Sequence, residues 1–131
     1  MTMEIVKQPA KRKRIGVDFD GVIHSHTSGW TDTRSIPDPP VPGAIAWLNT
    51  MVARYEVIII TSRASDDAGM QAIAAWLKER GFKGTLLITC VQVPCDVYID
   101  DRAWRFNGLF PTASQIDDFR PWYVAGPGPL S

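Results

Sequence analysis

Two aspartates at the end of a short apolar run constrain this chain more than any other feature. Residues 15–17 (Ile-Gly-Val) lead into Asp18-Phe19-Asp20-Gly21, and the run has the composition of a buried strand. Gly21 allows the backbone to turn sharply where the strand ends. Two carboxylates crowded at one strand end are costly to keep ionised unless a cation shares the site. We therefore expect a fold that brings ligands for a cation to this turn.

Hydrophobic periodicity predicts strands and helices in alternation after the turn. An apolar stripe at helical spacing extends from Ala44 to Tyr55, and a β-branched strand of the kind buried on both faces follows at Glu56–Ile60. A second helix is expected to have Ser65 as its N-cap, to end at Gly81, and to bury Met70, Ile73, Ala74 and Leu77. Further predicted elements are strands at Thr85–Thr89, Cys95–Ile99 and Trp104–Phe106, and a helix at Thr112–Phe119 capped by Thr112. This order is typical of an α/β fold with a mainly parallel sheet.

The chain is expected to form one domain over residues 14–120, between a flexible leader (1–13) and an irregular tail (121–131). Residues 24–42 are rich in proline and small polar residues, a composition that forms no regular element. Trp30 and Ile36 give this segment apolar anchors, so we expect an ordered flap. No other segment is long enough to fold as a separate domain.

Composition limits the classes of partner. Lys+Arg and Asp+Glu both total 14, which argues against a protein that coats polyanions. The basic run at residues 11–14 could be a nucleic-acid arm, but a solvated arm before a buried strand is the favoured interpretation. No apolar run approaches the ~18 residues that span a membrane. Residues 1–10 lack the long apolar core of a signal peptide, so we expect a cytoplasmic protein in which Cys90 and Cys95 are reduced thiols. The oligomeric state stays open.

Polar side chains follow three of the predicted strands. They are Asp18 and Asp20, then Thr61 and Ser62, then Asp100 and Asp101. Ligands of open parallel sheets gather outside the carboxyl ends of the strands, so these groups are expected to converge there. A set of oxygen ligands suits Mg²⁺, which often bridges to a phosphate, and hydroxyl groups are good donors to phosphate oxygens. The convergence indicates phosphoryl transfer, for which a carboxylate can be the nucleophile.

Three segments, D-F-D-G-V (18–22), I-I-I-T-S-R (58–63) and V-Y-I-D-D-R (97–102), resemble the motifs of the haloacid dehalogenase superfamily of phosphohydrolases. They occur in the order found in that family, each at the end of an apolar strand, and the resemblance covers roughly residues 14–110. It implies a Rossmann-like three-layer sandwich, in which five parallel strands, with the Asp18 strand in the middle, carry helices on both faces. The family often carries a cap domain, for which no segment here is long enough. We therefore expect a minimally capped site without a separate cap domain, in which the flap selects a phosphorylated small molecule or a nucleotide.

The resemblance assigns a role to each matching residue. Asp18 would be the nucleophile, and Asp20 the general acid and base, with its backbone carbonyl on Mg²⁺. Thr61 would bind the transferring phosphoryl group, with Ser62 beside it. Arg63 is expected either to contact the substrate or to form a surface ion pair. The metal ligands implied are Asp18, Asp20, Asp100 and Asp101.

The chain departs from the family at the lysine that pairs with the nucleophile and the phosphate. No Lys or Arg lies between Lys83 and Asp100, and Gln92 occupies the stretch where the lysine is expected. Lys83 could reach the site from the loop before the third strand, or Arg63 or Arg102 could supply the charge. The prediction is therefore a Mg²⁺-dependent phosphatase. The alternatives are a non-catalytic phosphate- or nucleotide-binding module and a phosphatase of nucleic-acid ends.

Overall fold

A parallel β-sheet organises the part of the chain that the computed structural model describes, residues 12–124. Its four strands are β1 (Arg14–Asp18), β2 (Glu56–Ile60), β3 (Leu87–Thr89) and β4 (Val97–Ile99). The helices are α1 (Ala44–Val52), α2 (Asp67–Glu79) and α3 (Ala113–Asp118), and a 3₁₀ turn covers Ser62–Ser65. Residues 1–11 of the predicted leader and 125–131 of the predicted tail lie outside the described residues.

The strand that ends in Asp18 has a neighbour on each side. The strand order is β3-β2-β1-β4, and all three pairings are parallel. Asp18 is level with Ile60 of β2, which in turn is level with Thr89 of β3. The residues that follow β1, β2 and β4 therefore leave the sheet at the same edge, as the sequence predicts.

The hydrophobic core lies on one face of this sheet. Alternate strand residues (Ile15, Val17, Val57 and Ile59) pack there against buried residues of the two long helices (Ala44 and Leu48 of α1; Ile73, Trp76 and Leu77 of α2). Both helices share the face because β1→β2→β3 advances in one direction across the sheet, and right-handed crossovers then fall on the same side. The residues between those alternate positions, such as Gly16 and its register partners Ile58 and Tyr98, point to the other face.

Two expectations about the sheet are not met within residues 12–124. Trp104–Phe106 is not a strand, so the described sheet has four strands rather than five. The connection from β3 to β4, residues 90–96, is too short for a helix of ordinary length (about 11 residues), and α3 buries none of its residues. The described helices that contribute to the core therefore cover one face of the sheet.

The ends of α2 show how local chemistry sets helix boundaries. The N-cap is Asp66, one residue after the predicted Ser65, and its carboxylate accepts the Gly69 N–H at 2.7 Å. The buried side of α2 includes Trp76, which was not predicted, and does not include Ala74, which was predicted to be buried but is exposed. At the other end Gly81 adopts a positive φ of 96°, the conformation for which glycine ends helices. Thr112 caps α3 as predicted.

The flap, residues 24–42, is tied to the rest of the structure along its length. Its base is closed by backbone bonds from Ser25 N–H to the Pro39 carbonyl and from Val41 N–H to the Ile23 carbonyl. Inside it, the carboxylate of Asp38 accepts the backbone N–H of Ser28 at 2.8 Å.

No helix described between residues 12 and 124 is long and apolar enough to cross a membrane. Cys90 and Cys95 are free thiols, as expected.

Candidate functional site

Three carboxylates meet at the carboxyl edge of the sheet. Asp18 is the last residue of β1, and Asp100 and Asp101 follow the neighbouring strand β4. One oxygen of each lies within 4.8 Å of the others, so the three form a single group. The Asp101 side chain is 3% exposed, whereas Asp100 faces solvent. We call these three residues the carboxylate cluster.

The electrostatics of the carboxylate cluster favour a bound cation. Burial, a hydrogen bond with Asp101 and the charges of Asp100 and Asp101 raise the pKa of Asp18 to about 8, although the Phe19 N–H, 2.9 Å from Asp18 Oδ1, acts in the opposite direction. The cluster therefore cannot be fully ionised at neutral pH without added positive charge. Its donor set is oxygen only, which is the set that Mg²⁺ prefers. The residues present thus fit a divalent magnesium ion.

Gly21 is the point where the turn formed by residues 18–21 touches the carboxylate cluster. Its φ is 85°, and a Cβ added there would collide with the Asp101 carboxylate. Glycine is required at this position both for the conformation and for the space. The Asp18-Phe19-Asp20-Gly21 turn and Asp101 are thereby held against each other.

The residues after β2 bring a hydroxyl and a turn to the same edge. Thr61 is buried, its N–H donates to the Thr89 carbonyl at 2.8 Å, and its Oγ1 accepts the Arg63 N–H at 3.2 Å. The Thr61 hydroxyl hydrogen remains available to a phosphate oxygen. Ser62, the next residue, is exposed. The structure places both at the edge where the resemblance puts a phosphate cradle.

Asp20 belongs to a different group of side chains from Asp18. Its two carboxylate oxygens share the Arg63 Nε–H, at 2.8 and 3.1 Å from the nitrogen. The carboxylate also lies 2.8 Å from His24 Nδ1 and 3.4 Å from His26 Nδ1. Burial alone would raise the pKa of Asp20, but the His24 hydrogen bond and the Arg63 guanidinium outweigh it and lower the pKa. The carboxylate of Asp20 is thus held ionised by protein groups, and its side chain is not part of the carboxylate cluster.

Arg63 was expected either to contact substrate or to form a surface ion pair, and neither describes it. The side chain is completely buried. Besides holding Asp20, its Nη1 donates to three carbonyls of the flap, those of Asp32, Thr33 and Ser35, at 2.8–3.1 Å. Arg63 therefore joins the flap to the turn formed by residues 18–21. Sequence reasoning missed this role because an arginine near a strand end gives no local sign of its partners.

His24 supports Asp20 from the other side. The ring is fully buried, stacked on Phe19 with centroids 5.6 Å apart, and its Nε2 accepts the Asp38 N–H at 3.1 Å. Because Nε2 is an acceptor, the proton is assigned to Nδ1, which donates to Asp20. His24 begins the segment predicted to lack regular structure, and its side chain is part of the buried network that orients Asp20.

The carboxylate cluster is bordered by residues that the sequence placed in an irregular tail. The Tyr123 hydroxyl donates to Asp101 Oδ2 at 2.9 Å, and Trp122 Nε1–H donates to the Gly21 carbonyl at 2.8 Å. Arg102 Nε lies 3.9 Å from Asp101 Oδ2 on a side chain that is 71% exposed. No local pattern identifies Trp122 and Tyr123 as site residues, because their partners are far away in the sequence.

The structure does not bring Lys83 to these groups. Lys83 is exposed in the loop before β3, and its N–H donates to Asn49 Oδ1 at 2.9 Å. A loop that enters a parallel strand lies at the amino edge, opposite the carboxylate cluster. Arg14, at the start of β1, lies at that edge too and pairs with Glu56 at 3.3 Å. Among the described residues, the ion pair that reaches the cluster is that of Arg102 with Asp101.

Comparison of the whole chain with protein-family models, with curated proteins and with solved structures finds no match in any of the three.

Proposed function

We propose that this protein is a Mg²⁺-dependent phosphohydrolase of the haloacid dehalogenase type, with Asp18 as the nucleophile. One observation carries the proposal: the oxygens of Asp18, Asp100 and Asp101 lie within 4.8 Å of one another at the carboxyl edge of a parallel sheet. Thr61, after the adjacent strand, adds a buried hydroxyl at the same edge. A metal, a carboxylate nucleophile and a donor for phosphate oxygens are the parts that phosphoryl transfer needs.

The residues divide the work as follows. An Asp18 oxygen attacks phosphorus, the bond to the leaving oxygen breaks, and the phosphoryl group stays on Asp18 until water releases it. Asp100 and Asp101 would hold Mg²⁺ together with Asp18, and the ion would supply positive charge to offset the carboxylates and the phosphoryl oxygens. The Thr61 hydroxyl donates to one phosphoryl oxygen. Arg102 takes the place of the family's lysine as the nearby positive charge.

Asp20 serves this chemistry better as a base than as an acid. Its ionised carboxylate can accept a proton from the water that attacks the phosphoryl group on Asp18. Its lowered pKa leaves little protonated form to donate to a leaving group at neutral pH. We therefore expect aryl phosphates, whose leaving groups need no proton, to react faster than alkyl phosphates.

The proposal includes the finer fold and setting that the resemblance and the composition imply. The finer fold is a Rossmann-like three-layer sandwich of five parallel strands, of which residues 12–124 contain four. The setting is the cytoplasm, and the substrate is a phosphorylated small molecule or nucleotide.

The test is a phosphatase assay on an aryl phosphate with and without Mg²⁺. We expect metal-dependent turnover that Asp18→Asn abolishes, whereas the matched control Asp118→Asn, at the end of the exposed helix α3, retains it. Turnover in EDTA, or full activity of Asp18→Asn, refutes the mechanism. Circular dichroism of both variants separates loss of chemistry from loss of fold.

A second candidate is a non-catalytic module that binds Mg²⁺ and phosphate. The engagement of Asp20 by Arg63 and His24 favours it, because a fixed carboxylate of lowered pKa is a poor general acid. Stabilisation by a beryllium or aluminium fluoride that requires Mg²⁺, together with no turnover across a panel of phosphate esters, supports the module over the enzyme.

The third candidate, a phosphatase of nucleic-acid ends, draws no support from the described residues. Of the basic run, Arg12 donates to the carbonyls of Val52 and Arg54, and Arg14 begins β1. Both therefore lie at the amino edge, away from the carboxylate cluster. Binding to oligonucleotides with a steep salt dependence is required to revive this candidate.

A further inference from the structure

Two consecutive aromatic residues, Trp122 and Tyr123, are fixed on the rim of the carboxylate cluster. The Trp122 indole N–H donates to the Gly21 carbonyl, 101 residues away in sequence, at 2.8 Å. The Tyr123 hydroxyl donates to Asp101 at 2.9 Å, and the Tyr123 ring lies against Gly21. The two rings pack edge to face with centroids 5.7 Å apart. Gly21, in the turn that follows Asp18, and Asp101 thus hold both rings in place.

Trp122 remains 63% exposed although it is anchored at one end. Single exposed apolar side chains are ordinary on protein surfaces. Trp122 differs because its only ring nitrogen is committed to the turn that carries Asp18 and Asp20, so the exposed ring is presented at a fixed place beside the site. A rigid indole of this kind offers a large contact area at a low cost in conformational entropy.

We propose that Trp122 is a stacking platform for the planar ring of a phosphate ester, so that the site prefers nucleoside monophosphates to sugar phosphates. The inference rests on the proposed function, because it places the phosphate at the carboxylate cluster. Asp18 and Gly21 are three residues apart, which limits their separation to about 11 Å of extended chain. The sugar of a nucleotide bridges its phosphate and base over a span of this order. Stacking accepts any base, since every base has a π-face.

A second exposed tryptophan, Trp30 in the flap, is less suited to this role. Trp30, in the flap, is 52% exposed, but the guanidinium of Arg63 lies over its ring at 4.8 Å. That cation occupies one face of the indole and couples it to the buried network around Asp20. Trp122 is therefore better placed than Trp30 to stack on a planar ligand.

The experiment compares two ligands that differ in the base alone. Binding of adenosine 5′-monophosphate and of ribose 5-phosphate to the full chain is measured by calorimetry in MgCl₂, and phosphate release is followed in the same samples. We expect the nucleotide to bind more tightly by about 5- to 150-fold, the range that stacking of one base on an aromatic side chain supplies. Trp122→Leu is expected to remove this preference and to leave the affinity for ribose 5-phosphate unchanged.

Two further variants separate stacking from anchoring. Trp122→Phe keeps an aromatic ring and loses the bond to Gly21, so it should retain part of the preference. Phe110→Leu is the matched control, because it also removes an exposed aromatic ring, one that packs against Phe106. This variant should leave the preference for the nucleotide intact. Circular dichroism of each variant establishes that it is folded.

The outcomes distinguish the inference from the proposed function. Equal affinity for the two ligands, or an equal loss for both in Trp122→Leu, overturns the stacking platform while leaving a phosphatase in place. Preference for the nucleotide without phosphate release supports the platform and overturns the enzyme. If neither ligand binds in the presence of Mg²⁺, both the platform and the phosphate site are wrong.

Discussion

The strongest test of the structure is removal of the Arg63 guanidinium. In Arg63→Met the Asp20 carboxylate keeps its position, 17% exposed, but loses the cation that holds it at 2.8 Å. Three flap carbonyls lose their donor in the same change. Removing one partner of a buried ion pair costs about 3–5 kcal/mol, chiefly because the remaining charge stays uncompensated. We expect the free energy of unfolding to fall by about that amount.

The assay is urea unfolding followed by tryptophan fluorescence, with the melting temperature as a second readout. For a chain of this size a loss of about 3–5 kcal/mol lowers the melting temperature by roughly 10–20 °C. The matched control is Arg102→Met, whose side chain is 71% exposed and should change stability by no more than about 0.5 kcal/mol.

A double variant separates the charge from the packing of the arginine side chain. Asp20→Asn added to Arg63→Met removes the unpaired carboxylate, so the double variant should be more stable than Arg63→Met by about 1–3 kcal/mol. A loss below about 1 kcal/mol in Arg63→Met, or no recovery in the double variant, contradicts the buried pair.

The pH dependence of the same pair has a definite sign. The pKa of Asp20 is lower in the folded protein than its ordinary value of 3.8. The pair therefore stabilises the fold above about pH 4 and loses its effect as the pH falls through the lowered pKa. The difference in stability between the wild type and Arg63→Met should shrink in that acidic range, and a difference that grows there contradicts the assignment.

Three further predictions concern the proposed metal site, the turn at Gly21 and the N-cap of α2. Because the pKa of Asp18 is about 8, Mg²⁺ must displace a proton to bind below that pH. The dissociation constant of Mg²⁺, measured by calorimetry, should therefore rise about tenfold for each pH unit as the pH falls from about 7.5 to 5.5. A dissociation constant that does not change with pH contradicts this. In Gly21→Ala the new methyl group collides with the Asp101 carboxylate, and alanine must adopt the left-handed conformation at φ 85°. The left-handed conformation alone costs about 1–2 kcal/mol, so we expect the free energy of unfolding to fall by more than this. An unchanged urea midpoint contradicts the contact. Asp66→Ala removes the cap on Gly69 N–H and should cost about 1 kcal/mol in the same assay, whereas Asp67→Ala, one residue on, should cost less.

Much of the fold is visible in the sequence because strands and helices have local periodic patterns. The run before Asp18, the β-branched segment Glu56–Ile60 and the stripe from Ala44 predict β1, β2 and α1. Their alternation predicts a parallel sheet, and in such a sheet the strand ends must share one edge. Convergence of the Asp18 turn, Thr61 and Asp100–Asp101 on that edge follows from the order of the elements, without knowledge of any contact.

The failures of prediction lie where local pattern and tertiary structure compete. Trp104–Phe106 is aromatic enough for a strand, yet in the described sheet it pairs with neither edge strand, β3 or β4. Ser65 and Asp66 are both good caps, and the 3₁₀ turn over Ser62–Ser65 leaves the cap position to Asp66. A short sequence window cannot decide either case.

Tertiary structure alone decided the partners of each charged group at the site. The sequence placed Asp18 and Asp20 together at one cation site, but β1 ends at Asp18 and the chain turns directly after it, so strand geometry does not keep the two side chains on one side. Asp18 therefore joins Asp100 and Asp101, whereas Asp20 joins Arg63 and His24. Arg63 is 43 residues from Asp20 and Trp122 is 101 residues from Gly21, and no periodicity encodes contacts at such separations. The chain order determined which edge of the sheet carries the chemistry, and the packing of distant segments determined which charges are paired there.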